Sequence, residues 1–259
     1  MTMIHSTALV DPKAKLAKDV EVGPYAIIGP DVEIGSGTKI GPHAVITGWT
    51  KIGANNKIGV GAVIGLEPQD ISYKGEKSCV VIGEGNDIRE YMQIHRGTGD
   101  GGTTTVGNKN FLLGFSHIAH DCKVGNNIIL ANGALLAGHA EVEDFSYVSG
   151  HCLVHQFVRI GKYSMMRGGA RVSLDIPPYC MADDANALRG LNSVGLERRG
   201  FKSETIREIK KVYRQIFAGD APMNETVKTL LADSLSEESK YFLRFIQASE
   251  RGVCRPQKV

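Results

Sequence analysis

IGPDVEIGSGTKIGPHAVI, residues 28 to 46, sets an isoleucine at 28, 34, 40 and 46 and a glycine directly after the first three of them. A step of six fits neither the 3.6-residue period of an amphipathic helix nor the two-residue alternation of a half-buried strand. Continued from Ile4 to Val172, the same step meets an aliphatic residue or Met at 26 of 29 positions, and only Asp70, Glu76 and Asp100 break it. Repetition at a fixed period marks a solenoid. The aliphatic is often followed by Gly and, four residues on, by a small side chain or Thr or Val. These hexads predict an all-β left-handed parallel β-helix in which three hexads, about 18 residues, close one triangular coil. Each aliphatic points into the prism, and the glycine is expected at a corner where bulk or unusual dihedrals are unfavourable. Coils stacked about 4.8 Å apart hydrogen-bond to one another as neighbouring strands do.

Residues 67–79 (EPQDISYKGEKSC) and 97–105 (GTGDGGTTT) are polar or glycine-rich, yet the phase survives across both. They read as loop insertions bulging from an intact solenoid, and such loops tend to line a binding face. Pro177 and Pro178 in IPPYC are expected to stop the last coil. The chain therefore divides into a β-helix over 1–185 and a small C-terminal α-helical domain over 186–259. In the latter, Ile206, Ile209, Val212, Tyr213, Ile216 and Phe217 recur at helical spacing, with Ser203 as N-cap and Gly219 as C-cap. Two further helices are expected near 222–233 and 236–250. From Asn186 onward there are 14 Lys and Arg against 9 Asp and Glu, net +5, which leaves −3 on the solenoid given the chain's +2. A basic helical cap suits an acidic protein partner.

A net charge of +2 argues against a nucleic-acid partner. The five cysteines are scattered and never spaced C-x-x-C, so neither a disulfide framework nor a zinc ribbon is indicated. MTMIHSTALVDPK lacks the apolar stretch of a signal peptide, and no run is long enough to span a membrane. A cytoplasmic location is the expectation.

Coil register bears on the histidines. Hexads opening at Ile118, Leu136 and Val154 fall on one face of three successive coils and carry His120, His139 and His155 with Gln156. They should form a polar column about 10 Å long, with His117 at the corner entering the lowest coil. Three readings compete. The histidines could be solvated surface residues; His117-x-x-His120 could supply zinc ligands, as in solenoids of the gamma carbonic anhydrase type; or one imidazole could serve as a general base. The chain offers no suitable carboxylate elsewhere in the column for metal-bound water, and Gln156 is a poor zinc ligand, so no metal is expected. For the base, Asp121 would fix the tautomer, and Gly138, with no side chain, could aim a backbone N–H at a developing oxyanion.

The segments PQDISYKGE (68–76), IREYMQIHRGT (88–98), SHIAHDC (116–122), LAGHAEV (136–142), VHQF (154–157), DIPPY (175–179) and GLNSVGLERRGF (190–201) closely resemble the UDP-N-acetylglucosamine 3-O-acyltransferases that begin lipid A synthesis. The likeness covers essentially the whole chain. It implies that His120 deprotonates the sugar 3-hydroxyl as it attacks the thioester of a 3-hydroxyacyl chain on acyl carrier protein. It implies that Asp121 orients His120 and that Gly138 is the oxyanion donor. Asp70, His117, His139 and Gln156 match positions contacting sugar or acyl group, and His155 belongs with this substrate-binding set. Asn192, Arg198 and Arg199 match positions reaching the nucleotide, and paired guanidinium groups suit a diphosphate. Gly168 matches the position that ends the acyl groove. The resemblance further implies a homotrimer with sites between subunits and no cofactor beyond the carrier's phosphopantetheine. Ser72, Val194 and Arg167 depart from the family pattern, and a 3-amino sugar nucleotide is the alternative acceptor.

Overall fold

The computed structural model describes residues 3–219 and 221–257 of the 259. The chain winds as the left-handed parallel β-helix expected from its hexads. Its first face begins at Met3–Ile4, its second at Leu9–Val10 and its third at Lys15–Leu16. Equivalent strands pair in parallel from coil to coil, so Ile28 lies beside Ile46 and Ile118 beside Leu136. From Val22 onward the aliphatic of each hexad is buried; Ile28, Ile46, Ile64, Ile94 and Ile118 are at most 1% exposed. Each such side chain contributes about 1.5–3 kcal/mol relative to exposure.

The insertions keep phase because each is a multiple of six residues. Ile64 pairs with Ile94, 30 residues on, and Ile94 with Ile118, 24 on; subtracting an 18-residue coil leaves 12 and 6. Both insertions leave the corner between the second and third faces, in consecutive coils. They end sooner than expected, since Cys79–Ile82 and Thr103–Val106 pair with each other as third-face strands. Alternation explains it, because Val80 and Thr104 point inward and are buried.

Apart from Gly65, whose φ is 83°, the glycine after the aliphatic serves close approach rather than unusual dihedrals. A Cβ on Gly41 would stand 2.9 Å from Ile58 O, and one on Gly59 2.7 Å from Arg89 C, both backbone atoms of the next coil. Left-handed φ falls instead on the third residue after the aliphatic, where Tyr25, Tyr91, Asp121, His139 and Phe157 all lie between 57° and 64°. Non-glycine residues seldom adopt this region, so the stacked coils must impose it. The second residue's amide takes no part in the backbone ladder between coils, and Pro12, Pro24, Pro30 and Pro42 occupy that place. Pro178 does likewise. The prolines therefore do not end the solenoid: Tyr179 makes the usual left-handed corner and Cys180–Asp183 pairs in parallel with Met165–Met166.

The helix closes after that strand, when Ala187–Leu191 folds back antiparallel to it. The expected division at 185/186 falls in the turn of this hairpin, and the domain's extreme ends, residues 1–2 and 258–259, lie outside the described residues. The C-terminal part is not purely helical, since Arg255–Pro256 also adds to the sheet beside Ala187–Leu188. Its helices are α1 (Ser193–Arg198), α2 (Ser203–Ala218), α3 (Met223–Leu231) and α4 (Glu237–Gln247). Ser203 is the first helical residue of α2 rather than its cap, a place held by Lys202 without a side-chain hydrogen bond. Glu208 of α2 accepts from Ser236 and Ser239, which ties α2 to the start of α4.

Candidate active site

The corner between the second and third faces gathers the reactive side chains. In the hexads opening at Ile118, Leu136 and Val154, the second residue is His120, Gly138 and Gln156, and the third is Asp121, His139 and Phe157. His120, His139 and His155 thus hold three different places in their hexads and do not form one column. The stack at the third place is aromatic above and acidic below: His139 lies flat on Phe157, centroids 4.5 Å apart, and meets His120 edge-on at 5.3 Å. His155 falls at the first place and is exposed, its Nδ1 3.4 Å from Arg251 Nη2 and away from the cleft described below.

His120 is buried, and its Nδ1 lies 2.9 Å from Asp121 Oδ2. A carboxylate only accepts, so the ring proton sits on Nδ1 and the Nε2 lone pair is free. Asp121 also accepts from the Thr98 amide at 3.0 Å and the Thr98 hydroxyl at 2.7 Å, while its own N–H donates to Thr104 Oγ1. Nε2 looks towards Asp70 Oδ2, 3.9 Å away on the first insertion. Gly138 packs directly against the ring.

The first insertion is held by two residues from the strand Gln93–His95 and its exit. His95 Nδ1 lies 2.6 Å from Glu67 O, and the buried Arg96 donates to Gly65 O at 3.0 Å and to the Tyr73 hydroxyl at 2.8 Å. Ser72 donates to Asp70 Oδ1 from both amide and hydroxyl, at 2.8 and 2.7 Å, and these bonds hold the Asp70 carboxyl below the usual carboxylate range. Where the resemblance leads one to expect Lys, Ser72 fixes the acid instead.

A cleft of about 750 Å³ opens over these groups. Its polar end is lined by Gln69, His95, His117, His120, Gly138 and Gln156, and its apolar wall by Phe115, Leu135, Ala137 and Leu153. The register explains the division, because the outward column of the second face runs Gln93, His117, Leu135, Leu153. Burial pushes the His117 imidazole down to about 4 and lowers His95 as well. Gly168 lies further along the solenoid at the corner entering the second face, where a Cβ would meet only Gly150 O at 3.6 Å.

Other sequence candidates lie elsewhere in the chain. Asn192 caps α1, accepting from Gly195 N and donating to Tyr163 O, and Arg199 stacks on Phe145 at 5.0 Å. Phe145 and Tyr163 belong to the corner between the third and first faces, a different edge of the prism from His120. Arg198, at the end of α1, is exposed. Arg167 forms an ion pair with Asp183 at 2.5 Å, which gives this charged side chain a partner in its own chain. Among the described residues the group of three or more such donors lying within 4.8 Å of one another is His120, Asp121 and His139, which leaves His117 outside it, and Asp121 Oδ2 is already shared by the Thr98 and His120 donors. Sequence reasoning missed Thr98, His95, Gln69 and Gln93. The hexad at Ile94 could have revealed His95, since removing the six-residue insertion places it one coil below Ile118.

Comparison with known proteins identifies the family. A family described as UDP-N-acetylglucosamine O-acyltransferase, domain 2, matches residues 175–254, and the six-repeat bacterial transferase hexapeptide matches 31–66 and 103–138. The acyl-[acyl-carrier-protein]–UDP-N-acetylglucosamine O-acyltransferase of Janthinobacterium sp. (strain Marseille) is 50% identical, over 98% of this chain and 100% of its own length. The chain belongs to this family. The enzyme of the same description from Herminiimonas arsenicoxydans is 48% identical with the same coverage. The crystal structure of the Francisella novicida UDP-N-acetylglucosamine acyltransferase superposes with a TM-score of 0.94 at 40% identity, covering 99% of this chain and 95% of that one. That of Bacteroides fragilis gives 0.94 at 42% identity, covering 98% and 100%.

Proposed function

We propose that His120 is the general base of an acyltransferase whose acceptor is the 3-hydroxyl of UDP-N-acetylglucosamine and whose donor is a 3-hydroxyacyl thioester of acyl carrier protein. Acyl transfer to oxygen of UDP-N-acetylglucosamine, the first step of lipid A biosynthesis, is the function of the family to which the chain belongs. The zinc-enzyme and 3-amino-sugar alternatives give way to it.

The observation that carries the residue roles is the pairing of Asp121 with His120 under a cleft that is polar at one end and apolar along its wall. With Nδ1–H bound to Asp121, Nε2 takes the proton of the 3-hydroxyl as that oxygen attacks the thioester carbonyl carbon. The carbonyl oxygen becomes an oxyanion. The Gly138 N–H, which donates to no group among the described residues, stabilises it. Collapse breaks the carbon–sulfur bond, and the departing phosphopantetheine thiolate takes the proton back from Nε2. No metal or further cofactor enters the scheme. Asp70, His117, His139 and Gln156 surround the sugar and acyl head, while Leu135 and Leu153 line the acyl path towards Gly168. His155, turned towards Arg251, has no place in it.

The enzyme works as a homotrimer in the cytoplasm. Two features support the trimer. The outward column of the second face leaves Leu9, Ile27, Leu135 and Leu153 exposed, a surface that neighbouring copies would cover. Asn192, Arg198 and Arg199 reach a nucleotide at His120 only from another copy, because in their own chain they border a different edge. Among the described residues no helix is long and apolar enough to cross a membrane. The reading is tested by offering the purified protein a series of 3-hydroxyacyl carrier thioesters with UDP-N-acetylglucosamine and weighing the products. Acylated sugar nucleotide with release of free carrier thiol is expected; hydrolysis of the thioester without transfer would refute it.

A further inference from the structure

Thr98, at the root of the second insertion, has no part in the scheme above, yet it touches its key carboxylate twice. Its amide lies 3.0 Å and its hydroxyl 2.7 Å from Asp121 Oδ2, the oxygen that also receives His120 Nδ1 at 2.9 Å. The amide further lies 3.2 Å from Oδ1, so Thr98 engages both oxygens of the carboxylate. A donor on a carboxylate disperses its charge and weakens its hold on a neighbouring cation. Thr98 and the His120 imidazolium therefore compete for one oxygen.

We propose that Thr98 is a positioning residue for the base: its amide and hydroxyl fix the Asp121 carboxylate and share with His120 Nδ1 the oxygen on which the ring rests. The idea rests on the reading of His120 as base. Without the hydroxyl, Oδ2 would lose a competing donor and hold the imidazolium form of the ring more tightly; with both Thr98 bonds in place Asp121 acts as an orienting group. The other titratable groups facing His120 are Asp70 on the first insertion, His139 in the next coil, and His117 and His95 across the cleft. None of them is hydrogen-bonded to Thr98, so a change there is carried by Asp121, whose Oδ2 also lies 3.7 Å from His139 Nε2; following the His120 signal itself separates the two rings.

Thr98→Val removes the hydroxyl at nearly constant shape and keeps the amide; Thr98→Ser restores the hydroxyl. The rate constant kcat/KM is followed against pH in both, together with the His120 imidazole titration by nitrogen-15 NMR, the signal being assigned by its loss in His120→Ala. The expected result for Thr98→Val is an acid limb displaced to higher pH, an imidazole titration displaced in the same direction, and a loss of about tenfold in kcat at neutral pH that shrinks as pH rises. Thr98→Ser should match the wild type. A uniform loss at all pH with an unmoved imidazole titration would overturn the proposal and leave Thr98 a loop anchor. A displaced imidazole titration with an unmoved acid limb would support the positioning role and instead refute His120 as base. Should valine unseat the insertion, Thr98→Ala gives the same readouts.

Discussion

A Cβ at position 138 would stand 2.4 Å from His120 Cε1 and 2.5 Å from Nε2, so Gly138 and the His120 ring share a contact that only glycine permits. The same residue offers an amide that the coil-to-coil ladder does not use. In the proposed scheme one position thus seats the base and faces the reacting carbonyl. Gly138→Ala must push the ring aside, and misplacement of a catalytic group by about 1 Å costs on the order of a hundredfold. A fall in kcat of about that size, with a melting temperature within a few degrees of the wild type, is the expectation; steady-state kinetics and calorimetry check it.

Asp121→Asn keeps the shape of the side chain but presents an amide to His120 Nδ1. The amide can donate, which favours the wrong tautomer with the proton on Nε2. In triads with a comparable orienting acid such a change lowers kcat by about 10⁴. Here a loss of at least about 10³ is expected, with KM for the sugar nucleotide changed far less.

His117 connects the cleft to stability. Its ordinary value near 6.5 is lowered to about 4 by burial, so on acidification the unfolded chain takes up this proton first. The contribution is whole above about 6.5, drains away as pH falls to about 4, and is flat below. His95 acts in the same direction. His117→Gln should therefore lose less melting temperature than the wild type between pH 7 and pH 4.5, as read by thermal unfolding across that range.

Inside the corner between the third and first faces, Asn86 donates to Asn56 Oδ1 and Gly107 O and accepts from Asn110 N. Asn86→Ala strands buried partners in two neighbouring coils, each costing about 1–3 kcal/mol. Denaturant unfolding should show a loss of that order or more, with the fold retained.

The period of six made the solenoid legible because every hexad repeats one physical requirement, an aliphatic residue turned inward. It made the cleft only partly legible. Coil register gave the correct corner for His120, Gly138 and Gln156, but a difference of one residue within the hexad decides whether a side chain enters the cleft or leaves it, and His155 sits on the wrong side of that step. Thr98 and His95 were hidden by the insertion between their coil and the next. Ser72 stood out only as a departure from the family pattern, and in the structure it is the group that holds Asp70. Pro178 looked like a stop signal, yet the corner it occupies asks nothing of its missing N–H.

The central claim is that His120 takes the acceptor's proton. Its most direct measurement is the turnover of His120→Ala with 3-hydroxyacyl carrier protein and UDP-N-acetylglucosamine, beside the variant's oligomeric state and melting temperature. A loss of at least about 10²-fold to 10⁴-fold in kcat with assembly and stability intact is the predicted result; turnover near that of the wild type would contradict it.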